Sequence, residues 1–155
     1  MSGSNVGGMV LRITAGLVWL FQAYPKFGQN YLSERLAALV GAMAGPDNPW
    51  HFYSGFLHGV VLTHIALFAY LSLVGDVAVG VCLVVGLLTP YAAFVGIVLN
   101  LNYALAAGWM SRADYPLNFL LIVLEIFVMA TAAGKTAGLD GLLAGRDTGR
   151  RSRRY

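Results

Sequence analysis

The run "SLVGDVAVGVCLVVGLLTP", residues 72–90, carries a single charge, Asp76. Every residue from Val77 to Leu88 is apolar or Gly. Pro90 disfavours helix at the residue before it, so a helix through this run stops at Leu88. Those twelve residues cover roughly 18 Å of helix, well short of the about 30 Å of a bilayer core. A membrane span here must therefore begin near residues 62–67, and Asp76 lies inside it. The membrane reading follows from composition. The chain is 58% hydrophobic and 11% charged, with a mean hydropathy of +0.69, whereas soluble domains carry about 25% charged residues. Water-soluble folding leaves too little polar surface to cover the apolar residues.

Three further segments are apolar enough to cross: residues 10–27, 91–109 and 117–134. The expectation is an all-α membrane protein, a four-transmembrane-helix bundle in which "TP" turns span two tightly into span three. One membrane domain, residues 1–143, precedes a basic tail, 144–155. Lys135, Arg146, Arg150, Arg151, Arg153 and Arg154 follow the last span, while the intervening loops carry little beyond Arg35 and Arg112. By the positive-inside rule both termini are cytoplasmic, in a plasma (inner) membrane protein. The basic tail reads as a topology signal that touches anionic lipid, not as a nucleic-acid site. The N-terminus lacks the basic n-region of a signal peptide, so the first span is retained. Residues 28–57 form an outer segment after span one. "NYLSERLAALVGAMAG" is amphipathic with Ser33 as N-cap, and "PDNPWHFYSGF" is a turn followed by an interfacial aromatic belt of Trp50, Phe52, Tyr53 and Phe56.

The same rise per residue puts polar groups of all four spans into one slab. Asp76 lies near mid-membrane, Glu125 roughly 14 Å from the inner end of span four, Asn100 and Asn102 at similar depth on span three, and Gln22 nearer the outer side. A charged side chain facing lipid costs about 2.5–3.5 kcal/mol even on the gentlest scale, so these groups point inward. Arg12 and Lys26 fall near the two ends of span one, which leaves the slab without a cation. Two carboxylates in such a site resist ionisation, and at least one is expected to be protonated near neutral pH. Either these groups only join helices through hydrogen bonds, or they form a proton-accepting or quinone-head-group site. Two carboxylates exceed what joining helices requires. Ala92, Gly96, Asn100, Ala104 and Gly108 recur every fourth residue and allow close helix approach.

Other chemistries lack their residues. His51, His58 and His64 miss the i,i+4 spacing of a helical metal pair, Cys82 is the only cysteine, and no P-loop, dinucleotide fingerprint or Gly-x-Ser-x-Gly occurs. No metal, haem, flavin or nucleotide site is expected.

Three stretches carry a family resemblance. They are "LRITAGLVWLFQAYPKFG", with Arg12, Gly16, Trp19 and Lys26; "GDVAVGVCLVVGLLTPYAAFVG"; and "YPLNFLLIVLEIFVMATAAGKTAGLDGLL" with its Gly-x-x-x-Gly-Leu-Asp ending. The aromatic "NPWHFYSGFL" fits the outer insertion. Over residues 10–143 the chain resembles the DoxX family, and within it the DoxD-like small membrane subunit of thiosulfate:quinone oxidoreductase. Asp76 stands where that family commonly has Glu, and Glu125 has no assigned counterpart. The resemblance implies a four-helix membrane subunit in quinone-linked redox chemistry beside a partner subunit or a further copy of itself. On that reading Asp76 and Glu125 exchange protons, Asn100, Asn102 and Gln22 bind the quinone head group, and Arg12 and Lys26 are the family-matching basic residues. The alternative is a membrane anchor or assembly subunit without chemistry of its own. A proton-coupled carrier suits the paired carboxylates but not the absence of internal repeats.

Overall fold

A computed structural model describes residues 3–28, 31–131, 133–135 and 138–142; the basic tail, 144–155, lies outside them. All regular structure among the described residues is helical. The chain runs through α1 (Gly3–Ala23), α2 (Leu36–Met43), α3 (His51–Phe56), α4 (Ile65–Val85), α5 (Thr89–Ala107) and α6 (Asp114–Ala130). Short 3-10 turns at Tyr24–Phe27 and Ala133–Lys135, and wider π turns at Tyr31–Arg35 and Leu57–Val61, flank them.

The four long helices close a ring: α1 packs on α4, α4 on α5, α5 on α6 and α6 back on α1. Three segments are long and apolar enough to cross a membrane, Val6–Phe27, Ile65–Val85 and Thr89–Ala107. The helix α6 is shorter, at 17 residues.

The bundle is apolar on its outside as well as in its core. On α1 the buried face is Arg12, Ala15, Trp19 and Ala23, at helical spacing, while Val10, Leu17 and Phe21 point away from the bundle. On α6 Leu121, Glu125 and Val128 are buried, while Phe119, Leu120 and Val123 are exposed. Each large apolar side chain left in water forgoes about 1.5–3 kcal/mol, and lipid removes that penalty. The interior meanwhile holds Arg12, Asp76, Thr89, Asn100 and Glu125, all 1% exposed or less. Apolar outside with charged groups inside is the arrangement a bilayer demands.

Small residues set the close approaches. A Cβ on Gly16 would lie 2.8 Å from the Gly80 carbonyl oxygen, so α1 and α4 touch through backbone. The stripe on α5 serves α6, with Gly96 against Glu125 and Gly108 against Tyr115.

The α4–α5 hairpin ends earlier than Pro90 suggests. Gly86 takes a left-handed conformation (φ 73°) as the C-cap of α4, Leu88 follows at φ 49°, and Thr89 already starts α5. Pro90 sits in the first turn of α5, where its missing N–H costs nothing. In the outer segment a π turn covers Tyr31–Arg35, so position 33 lies inside a helical turn and not at its N-cap. The aromatic belt also divides. Phe52 is exposed, but Tyr53 is buried and packs with Val40, Leu57, Val61 and Ala106 in a second small core.

Candidate functional site

Two ends of the bundle differ in kind. At the end bearing α2 and α3, a cavity of about 640 Å³ opens between α1, α2, α4, α5 and α6. Leu36, Leu39, Val40 and Met43 of α2 form an apolar wall. Gln22, Lys26, Ser72, Asn102 and Tyr103 gather on the other side.

Lys26 dominates that polar wall. Pro25 tightens the chain after α1 into a 3-10 turn, and the long stem of Lys26 runs back into the bundle. Its Nζ lies 2.6 Å from Asp76 Oδ2 and 3.0 Å from the Tyr103 hydroxyl, to which it donates. Tyr103 in turn donates to Asp76 Oδ1 at 2.7 Å. The Lys26 side chain keeps 15% exposure and Asp76 none, so the cavity touches the cation and the phenol but not the carboxylate. This corrects the expectation of a slab without a cation. Helix positions placed Lys26 at the end of span one, but its side chain reaches across to α4.

Further bonds tie the α2–α3 end to the bundle. Tyr53 donates to Asn102 Oδ1, and the Tyr31 and Ser72 hydroxyls lie 2.9 Å apart. Burial pushes the Tyr53 phenol up to about 12, so it remains a donor. Asn48 is fully buried, its amide on the Met43 carbonyl and its Oδ1 accepting the Trp50 N–H, which fixes the turn before α3. Gln22 Nε2 is buried with no hydrogen-bond partner among the described residues.

Glu125 and Asn100 do not line the cavity. They form a second, enclosed centre. Trp19 Nε1 donates to Glu125 Oε1 at 2.6 Å and Asn100 Nδ2 to Oε2 at 3.0 Å, with Gly96 leaving the room. The two centres meet where the Trp19 and Tyr103 rings lie 6.3 Å apart. The structure thus brings Asp76, Asn102, Gln22 and Lys26 to one place and sets Asn100 and Glu125 apart behind Trp19, whereas the sequence put Asp76, Glu125, Asn100, Asn102 and Gln22 in one slab with Lys26 at its edge and did not single out Tyr103. Tyr103 follows Asn102 directly but lies outside the fourth-residue stripe of α5, so no pattern in the sequence marked it.

Arg12 belongs to neither centre. It is buried at the hairpin end, where a Cβ on Gly86 or Gly138 would run into its guanidinium. Asp140 neighbours it and caps α5 from far along the chain, accepting the Leu88 and Thr89 amides at 2.7 and 2.9 Å. Its own N–H donates to the Gly86 carbonyl at 2.9 Å. Burial pushes the Asp140 carboxyl up, but the hydrogen bonds from Thr89 and Leu88, with the charge of Arg12, outweigh it and hold it below its ordinary value.

No group of three or more metal-ligating side chains occurs among the described residues. Against protein-family models, residues 8–150 match "TQO small subunit DoxD". The chain belongs to the DoxD family. No curated protein or solved structure matches significantly. DoxD membership and the three apolar helices together make this a multi-pass membrane protein, and as a small subunit it works with protein partners.

Proposed function

We propose that this DoxD protein is the membrane-embedded subunit of a quinone-linked oxidoreductase, and that its cavity receives the quinone head group. The observation that carries the reading is the Lys26–Asp76–Tyr103 cluster at the wall of a mainly apolar cavity. The residues fit such a group. A quinone needs hydrogen-bond donors at its oxygens and apolar surface along its ring and tail. Gln22 Nε2 has no partner among the described residues, Lys26 has a third N–H beyond the two it uses, and α2 supplies the apolar wall. When bound, a quinone supplies a two-electron, two-proton acceptor. The chain's own residues orient it through Lys26, Gln22 and Asn102, and Asp76 balances charge and exchanges protons through its partners. Glu125 and Asn100 support from behind by fixing Trp19, and electrons arrive from an attached redox subunit.

In this reading α1, α4, α5 and α6 all span a plasma membrane, both termini are cytoplasmic, and α2 and α3 lie outside. The anchor alternative is weakened by the α5 stripe, which packs against α6 within the chain and offers no free docking face. Asp76→Asn is expected to lower donor-dependent quinone reduction in membranes by about 10²-fold or more at unchanged amounts of the chain. Unchanged turnover removes Asp76 from the mechanism, and lost complex recovery at normal turnover per complex supports the anchor.

A further inference from the structure

We propose that Tyr103 is the catalytic proton donor of the cavity, with Lys26 as the group that recharges it. The inference rests on the quinone reading above and adds the residue through which protons pass. Among the cluster only Tyr103 and Lys26 line the cavity, while Asp76 is sealed behind them. The Tyr103 hydroxyl is already wired on both sides, accepting from Lys26 Nζ at 3.0 Å and donating to Asp76 Oδ1 at 2.7 Å. The ammonium also lies 4.8 Å from the Tyr103 ring centroid, where it stabilises negative charge developing on the phenol.

Two electrons from the reduced partner subunit leave negative charge on a quinone oxygen facing the cavity wall. The Tyr103 O–H swings from Asp76 to that oxygen; its O–H bond breaks and one forms on the acceptor. An N–H bond of the Lys26 ammonium then breaks and the Tyr103 O–H re-forms, leaving a neutral amine beside Asp76. Water at the cavity mouth returns the proton to Lys26, whose side chain keeps access to it. The second proton of the reduction comes separately from bulk solvent at the opposite oxygen, so two electrons and two protons reach the acceptor. The titratable and charged groups facing Tyr103 are Asp76 on α4, Lys26 after α1, and Tyr31 and Tyr53 of the α2–α3 end, with Arg35 and Asp114 elsewhere on the cavity lining. Glu125 stands one side chain further, behind Trp19.

The test uses the full chain in membranes with its partner subunit, a short-tailed quinone and thiosulfate as donor. Tyr103→Phe keeps the ring against Trp19 and removes only the hydroxyl. Turnover is expected to fall by about 10²-fold or more, while affinity for the short-tailed quinone, read from quenching of tryptophan fluorescence, changes less than about tenfold. A ring-fluorinated tyrosine at position 103, with a more acidic phenol, is expected to move the pH profile of kcat to lower pH, which a merely structural hydroxyl does not do. It also covers the case in which Tyr103→Phe fails to fold. Wild-type turnover in Tyr103→Phe, or an unmoved profile with the fluorinated residue, overturns the role of Tyr103 and leaves the quinone reading standing. A wild-type protein that does not bind the quinone overturns both.

Discussion

Each end of this bundle turns one basic residue from the first span inward and sets one carboxylate near it, yet the two ends are built for opposite purposes. At the hairpin end, Arg12 is wedged against Gly86 and Gly138, and Asp140 spends its oxygens on backbone amides. At the cavity end, Lys26 meets Asp76 beside an open space. The difference teaches that an acid and a base inside a membrane protein do not by themselves mark chemistry. What separates the ends is whether a polar atom with bonding capacity to spare faces a space that a ligand can enter.

That contrast can be broken at several points. The largest effect is expected for Gly86→Val. Its φ of 73° suits no β-branched residue, and a Cβ meets the Arg12 guanidinium and, at 2.8 Å, the Gly138 Cα. The strain and overpacking together are expected to exceed about 3 kcal/mol, read as loss of folded protein in detergent; retained stability ends the idea of a locked hairpin. Asp140→Asn comes next, at about 1–2 kcal/mol for a weakened cap, with turnover per folded protein unchanged. The folded carboxyl sits below its ordinary value. Its contribution is therefore complete above the unfolded pKa of about 3.9 and fades as pH falls through the folded value. A melting series from pH 7 downward should show a shallower acid decline in Asp140→Asn than in the parent. Tyr53→Phe, at the cavity end, is expected to cost about 1 kcal/mol. Because the buried phenol titrates at about 12, the parent should lose stability as pH climbs from about 10 through that value, and the variant should lose less. The smallest effect has the opposite sign. Gly41 on α2 is exposed, and a Cβ added there meets nothing within 4 Å, so Gly41→Ala should raise stability by about 0.5–1 kcal/mol. A loss there would mean that the wall over the cavity is as tightly packed as the hairpin.

Much of the fold was legible because lipid imposes a simple rule on sequence. Apolar runs of sufficient length, a Pro after Leu88 and an isolated Asp76 were enough to locate α4, α5 and the turn between them. The α5 stripe announced its close neighbour, though not that the neighbour is α6. The site was only half legible. Asp76, Gln22 and Asn102 stand out as polar residues in apolar surroundings. Lys26 was placed by its helix position, and a four-carbon stem reaches further than that position suggests. Tyr103 and Trp19 carry no such signal, since aromatic residues are ordinary in a span. Their meaning comes from far along the chain: Tyr103 bonds a carboxylate 27 residues before it, and Trp19 bonds one 106 residues after it. Asp140 lay within a recognised ending, but its task as a distant helix cap is set by tertiary contact alone.

That distant cap carries a consequence for how the protein is made. The turn amides of Leu88 and Thr89 leave the ribosome 52 and 51 residues ahead of the carboxylate that satisfies them. Until Asp140 has been added, the turn between α4 and α5 stands without its cap, so that hairpin is fastened only after α6 has been made.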